Sequence, residues 1–374
     1  MRSLTPTTLR VSWPPPLVLR PMAKGNTADL DELVDRGLRA VEDDELDTAQ
    51  SILDDVKGSA GENQPRVLHL AGMLAWSQGD LERATGFLMQ ASDGAPDRAD
   101  VQLDCAECLF AGDEIEEAEA QARAALALPG ITKAQKDDGR LLLAQIRLSG
   151  DDPDEALEIL GEIDPALHVH PAFLSTRGSA HMAAGKLDRA VEDLRAALQH
   201  EPEDGDLHYQ LALVLGAAGD SEAAVAEMLQ VRELDAAEDG ETTEPTYADA
   251  QELRSRLEDV FEQLPDPLLR LVAHAPITVQ TRATEEQVRA GVDPRNVVAF
   301  CGTRKNGDEE AELTGIVIMR DLLPVEEDGG EGEAGDGDGD GDGDDDAIET
   351  EMFYGLMDEL QSFFQRDDVV MAEN

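Results

Sequence analysis

Residues 207–231 read LHYQLALVLGAAGDSEAAVAEMLQV. Leu207, Leu211, Val214 and Leu215 recur at three- and four-residue steps and line one face of a first helix. Gly219-Asp220 interrupts the run, and Ala224, Met228 and Val231 then line one face of a second helix. A small residue, Ala212, stands twelve positions ahead of Ala224, where two helices would cross closely. Outward from this unit the spacing returns in the pairs Gly72 and Ala84, Ala106 and Ala118, and Gly178 and Ala190. Gly72 and Ala106 are 34 residues apart, as are Gly178 and Ala212. Turn pairs Gly79-Asp80, Asp113-Glu114, Gly185-Lys186 and Gly219-Asp220 fall between the small residues, and Pro96 and Pro202 close two units at equivalent places. A further copy, centred on Ala144 and Ala156, runs four residues late, with the extra length in Leu128–Lys136. Asp29–Lys57 keeps the spacing with Gly37, Ala49 and Leu53. The spacing predicts about six helical hairpins over residues 29–238.

No single hairpin can bury its apolar face, so stacked neighbours must share a core, which makes the fold class an α-helical solenoid. A helix-turn-helix period of 34 resembles the tetratricopeptide repeat. One copy supplies Leu68, Ala71, Gly72, Ala75, Ala84, Leu88, Ala91 and Pro96; another supplies Leu174, Gly178, His181, Ala190, Leu194, Ala197 and Pro202. The family's aromatic positions are mostly replaced. The resemblance implies a superhelix whose concave groove is lined by the first helices and holds a protein or peptide partner. By alignment the lining comprises Arg66, His69, Met73 and Trp76, then Leu103, Glu107, Phe110, Leu141, Gln145, Ser175, Ser179, Met182, Tyr209 and Leu213. The family's carboxylate-clamp members grip a C-terminal carboxylate with Lys, Asn and Arg there. This row has one Arg and no Lys, so that mode is not expected.

The formal net charge is −52, from 82 acidic and 30 basic residues, of which six are Lys. Such a charge argues against phosphate-driven binding of nucleic acid and against an anionic membrane surface. The acids are spread over every segment, which reads as a solvated surface. Three cysteines and no secretory h-region point to the cytoplasm. Cys105-x-x-Cys108 has metal-ligand spacing but lies inside a repeat helix without a second pair, so it reads as packing. His168 and His170 flank a loop without further ligands and read as surface residues. No apolar run is long enough to span a bilayer. Residues 1–28 stand apart. Arg2, Arg10 and Arg20 are the only charges of Met1–Pro21, Pro14-Pro15-Pro16 prevents a helix, and Met22 fits an initiator better than Met1.

Residues 239–246 read as a linker before a second domain, 247–374. It opens with an amphipathic helix, Tyr247–Gln263, stopped by Pro265 and Pro267. Ile277–Gln280, Val297–Cys301 and Gly315–Met319 read as strands, 326–346 as a disordered acidic-glycine insertion, and Ile348–Gln365 as a closing helix. Asp338, Asp340, Asp342, Gly343 and Glu349 match a calcium-loop pattern, but the incoming helix is missing and no EF-hand is expected.

This order of elements resembles the small zincin-like metallopeptidase family, which implies a small α+β domain. Its opening matches Phe261-Glu262-Gln263-Leu264-Pro265, and its middle matches Val297–Gly302 and Gly315–Arg320. The family ends in H-E-x-x-H-x-x-G-x-x-D. With Glu359 as the general base, the histidine positions fall on Asp358 and Ser362, the glycine on Gln365 and the third ligand on Asp368. Zincin chemistry needs two His on one helical face to hold Zn2+ while the Glu activates bound water. Without them these positions read as a degenerate site or as the solvated face of a terminal helix. The expectation is a catalytically inactive domain, with no metal and no cofactor. The function expected is a protein-interaction adaptor. The alternatives are a metallopeptidase with altered ligands, Asp358 and Asp368, and an assembly factor without a defined peptide ligand.

Overall fold

Among the described residues, six turns of one kind set the repeat. They join α1 (Thr27–Glu42) to α2 (Leu46–Ala60), α3 (Pro65–Ser77) to α4 (Leu81–Gly94) and α5 (Ala99–Ala111) to α6 (Ile115–Leu126). They continue with α7 (Lys133–Ser149) to α8 (Pro153–Leu160), α9 (Pro171–Ala183) to α10 (Leu187–Leu198) and α11 (Gly205–Ala217) to α12 (Ser221–Glu238). Each turn holds one residue with left-handed φ: Asp44, Gly79, Asp113, Asp151, Gly185 and Gly219, at 58° to 85°. Only Gly, or Asp with its short polar side chain, takes that conformation at low cost. The following amide reaches back five residues each time, as in Asp80 N to Ala75 O at 3.0 Å and Asp220 N to Leu215 O at 2.9 Å. This closes each first helix and reverses the chain. The computed structural model describes residues 27–238, 240, 243–304, 311–324 and 343–365. Residues 1–21, Met22 read as the initiator, most of the acidic insertion, Asp338, Asp340, Asp342 and Asp368 lie outside them.

The small residues stand where the helices of a hairpin touch. A Cβ on Gly72 would come within 2.6 Å of Leu88 Cγ, and one on Gly178 within 2.9 Å of Leu194 Cγ. Neighbouring hairpins share their cores. Val34, Val56, Leu70 and Leu74 form one cluster, Leu88, Cys105, Leu109 and Ile146 the next, and Leu160, Ile163 and Phe173 a third. The extra length at 128–136 is taken up by α7, whose Thr132 and Gln135 form a capping box.

Two compact units result, Met1–Glu201 and Pro202–Asn374. The boundary expected at 239–246 lies inside the second unit, because the sixth hairpin, α11–α12, is built into it. That unit continues with α13 (Tyr247–Glu262), α14 (Asp266–Val272), β1 (Ile277–Gln280), α15 (Glu285–Arg289), β2 (Val298–Arg304), β3 (Ala311–Met319) and α16 (Gly343–Gln365). The sheet order is β1-β3-β2, with β1 parallel and β2 antiparallel to β3. Alternate residues of a strand face opposite sides. Val298, Phe300, Ile316 and Ile318 pack with Leu257, Val260, Met352 and Leu356 of α13 and α16. Ala299, Val317 and Met319 pack on the other side with Val288, Val292 and Met228 and Leu229 of α12. The last repeat helix thus forms one layer of a helix–sheet–helix sandwich.

Candidate functional site

Two zones divide the expected groove row in the first unit. At one end, Arg66 is buried and donates to Asp31 at 3.2 Å, to Asp100 at 3.3 Å and to Asp35. A fourth contact, Arg66 Nη1 to His69 Nδ1 at 2.7 Å, fixes the imidazole. Guanidinium only donates, so Nδ1 accepts, and Nε2 carries the proton given to Asp104 at 2.6 Å. Arg98 donates to both oxygens of Asp100, at 3.1 and 2.6 Å. Burial alone would raise the Asp100 carboxyl, but the Arg98 hydrogen bond and the Arg98 and Arg66 charges outweigh it and bring it down to about 2. Arg66, His69 and Leu103 are 6%, 0% and 8% exposed, so they sit beneath the groove surface rather than lining it, and Leu141 is buried too. The cause is repeat-period charge alternation. Asp31, Arg66 and Asp100 occupy equivalent places on successive first helices, and Asp35 and Asp104 each stand one residue off the place of His69. Sequence reading treated Arg66 and His69 singly and missed their acidic partners, although that alternation is visible in the chain.

At the other end, Met73, Trp76 and Phe110 are half-buried and pack on the cluster of Leu109, Leu142 and Ile146. Gln145 is tied to Thr176 at 3.3 Å, and Glu107, Ser175, Ser179 and Met182 are half-buried.

In the second unit, Tyr209 is occupied by its own chain. Its hydroxyl donates to Asp293 at 2.7 Å, and the Arg295 guanidinium lies 5.0 Å from its ring centroid. Arg295 also forks onto both carboxylate oxygens of Asp235, each at 2.9 Å, and reaches Asp206 at 2.5 Å. Asp235 is 2% exposed. Burial opposes the Arg295 charge, yet the bonds to Asp235 and Asp206 push its pKa above the usual arginine value. Tyr209 therefore belongs to an internal latch, while Leu213 on the same helix is exposed.

The residues matched to the zincin motif do not converge. Asp358 is exposed and Ser362 half-buried. Glu359, expected on a solvated face, is 1% exposed and accepts from Phe300 N at 2.9 Å. Phe300 lies on the sheet's edge strand, so the carboxylate covers a backbone donor that β3 does not reach. Close approach makes this possible: a Cβ on Gly355, one turn earlier, would come within 2.2 Å of Val297 Cγ2. Gly355 was not singled out in the sequence because a lone helical glycine carries no local signal. Glu349 falls inside α16, not in a loop. Among the described residues no group of three or more His, Cys, Asp or Glu could hold a metal ion.

Cys105 and Cys108 are buried free thiols; burial pushes Cys105 up to about 12 and raises Cys108. The two loop histidines are less solvated than expected. His168 stacks on Phe173 at 4.4 Å, and His170 caps α9 by accepting from Ala172 N at 3.4 Å. No helix among the described residues is long and apolar enough to cross a membrane.

Two family models described as tetratricopeptide repeat match residues 75–129 and 186–270. No curated protein matches the chain. Similar solved structures include a chain of the APC/C hetero-tetramer Cut9–Hcn1, at 15% identity and a TM-score of 0.49, over 55% of this chain and 40% of that one. This chain thus spans well under half of that relative. MamA from Desulfovibrio magneticus RS-1 has 16% identity and a TM-score of 0.39, over 48% of this chain and 98% of its own. PilF of Pseudomonas aeruginosa has 13% identity and a TM-score of 0.46, over 56% and 92%. The family models thus show tetratricopeptide repeats at residues 75–129 and 186–270, and the same left-handed turn recurs in the other hairpins.

Proposed function

We propose that this protein is a non-catalytic interaction scaffold whose repeats hold a segment of a protein partner on Met73, Trp76 and Phe110. The observation that carries this reading is that half-buried apolar trio on the first helices α3 and α5, seated on a rigid core. Tetratricopeptide domains bind protein or peptide partners, and aromatic side chains in this state are the usual anchors of an interface. Beside the trio, Arg66 gives its donors to Asp31, Asp35, Asp100 and His69, so it does not serve as a clamp for a carboxylate. The segment that suits the site is apolar, extended or helical, and free of a required C-terminal acid. Trp76→Ala combined with Phe110→Ala should remove a specific partner from full-length protein purified from its own cells while leaving the fold intact. Equal recovery of every partner by the variant would defeat the proposal.

The α+β portion after Tyr247 is proposed as a folded, non-catalytic module that buries one face of the last hairpin. The exposed Asp358 and the Glu359 carboxylate held on Phe300 N support this reading over a metallopeptidase with altered ligands. Metal analysis of the full-length protein after dialysis against trace zinc tests it. Stoichiometric zinc that is lost in Asp358→Ala would revive the peptidase. We place the protein in the cytoplasm, the ordinary setting of a chain with so few cysteines.

A further inference from the structure

The closing helix α16 has two uncharged faces. One buries Ile348, Met352, Leu356 and Leu360 in the core shared with the sheet and α13. The other comprises Ala347, Thr350, Tyr354, Met357 and Gln361, all of them exposed. These positions step by three and four residues, which keeps them in one row along the helix. A helix needs one such face to pack in its own fold, so the second is surplus to the second unit.

The row differs from the surface around it. Of the 374 residues of the chain, 82 are acidic, and helices turn them to solvent. On α13 the exposed residues include Glu252, Glu258, Asp259 and Glu262. The row on α16 runs for about four turns without a charge. Tyr354 is 61% exposed and Met357 38%. Exposed apolar side chains that stand singly are ordinary, and among the described residues Met89, Val169, Leu213 and Tyr247 stand singly on other elements. Tyr354 and Met357 share one row, and both residue types are enriched at protein interfaces. The Phe353 ring meets Tyr354 edge-on at 6.0 Å and so steadies it.

Charge decides what covers the row. No Lys or Arg occurs among the 23 residues of α16. Asp358 is exposed beside Tyr354 and Met357, and Glu349 and Glu351 stand half-buried along the same helix. Asp358 also acts toward α11. Burial, then Asp293 and Asp358, raise the Tyr209 phenol, with Arg295 opposing them. A second copy of this chain would bring the same carboxylates and a net charge of −52 to the row, so like charges oppose self-pairing. Spacing by three and four is what the matching row of another helix fits.

We propose that the outer row of α16 docks a basic amphipathic helix of a partner protein, with its apolar side chains on Tyr354 and Met357 and its Lys or Arg side chains toward Asp358. Apolar contact supplies the affinity, and the acidic border selects the charge of the partner and guides its approach. This face shares no residue with Met73, Trp76 and Phe110, so it stands apart from the groove proposed above.

The test uses full-length protein carrying Trp76→Ala and Phe110→Ala, so that the groove takes no part. The probe is a fluorescein-labelled peptide of Leu and Lys, about four turns long, with its leucines at three- and four-residue steps. Fluorescence anisotropy should show saturable binding at about 100 μM or below. The same residues in scrambled order, and a Leu–Glu version, should each bind at least about tenfold more weakly. Tyr354→Ser and Met357→Ser should each weaken binding at least about fivefold, the loss of one apolar anchor. Tyr247→Ser removes an aromatic side chain that is 78% exposed on α13 and should leave binding unchanged. Asp358→Asn should weaken binding about twofold and flatten its salt dependence. The proposal is overturned if the scrambled peptide binds as tightly, if Tyr354→Ser binds unchanged, or if Tyr247→Ser loses as much as Tyr354→Ser. Sedimentation velocity supplies the last arm: a concentration-dependent dimer abolished by Tyr354→Ser would give the row to a second copy and overturn the proposal as well.

Discussion

Replacing Arg295 with Met should loosen the whole second unit. The guanidinium holds both oxygens of a carboxylate that is 2% exposed, and Met keeps the length of the side chain but none of its donors. Taking one partner from a buried ion pair costs about 3–5 kcal/mol, because the remaining charge loses its compensation. Contact with the Tyr209 ring adds about 0.5–1 kcal/mol. The Asp206 arm adds little, since Asp206 is more than half exposed. Hydrogen exchange on the full-length protein reads the effect by segment. Amides of α12 and of β3 should lose protection together, by about two to three powers of ten. Amides of α3 to α6 should not change. Adding Asp235→Leu should restore most of the loss, because an apolar pair of similar volume is tolerated where a single buried charge is not. Protection lost in α12 alone, with β3 unchanged, would refute the view that the last repeat hairpin and the sheet form one cooperative body.

Three further outcomes follow from particular contacts. Glu359→Gln keeps an acceptor for Phe300 N and should shift the urea midpoint little, whereas Glu359→Ala should cost about 1–3 kcal/mol; equal effects would remove the carboxylate from its edge-covering role. Gly355→Val should cost at least about 1–3 kcal/mol by pushing α16 from Val297, and a wild-type melting temperature would contradict the close approach. Asp100 is depressed to about 2, so it stabilises the fold above the ordinary carboxylate range and loses that effect, about 2 kcal/mol, as pH falls from about 4 to 2. Asp100→Asn should therefore lose less stability than wild type over that window in circular-dichroism melts.

The repeat was legible because its signals are local. A left-handed turn residue, a small residue at the crossing and apolar spacing recur in every hairpin, and no long-range information is needed to see them. The strands were legible for a similar reason, and β1 runs from Ile277 to Gln280 as its apolar pattern predicts. The boundary at Glu201 was not legible. Nor was the bond of Arg295 to Asp235, 60 residues away, since neither residue announces that partner. The burial of Arg66 in the groove row has an electrostatic cause: alignment gives the face of a helix but not whether neighbouring charges will bury a side chain. Glu359 shows the same limit in reverse. In an acid-rich chain its exposure was the natural expectation, and only the edge of β2 explains its burial.

The most direct test of the scaffold reading is affinity purification of the full-length protein from its native cells. It is set beside the Trp76→Ala, Phe110→Ala variant, with both proteins matched for folding by circular dichroism. The account predicts one defined protein partner that binds wild type directly and loses about 30-fold or more in affinity with the variant, the effect of removing an aromatic anchor worth about 2 kcal/mol. A partner that binds both proteins equally well would contradict it.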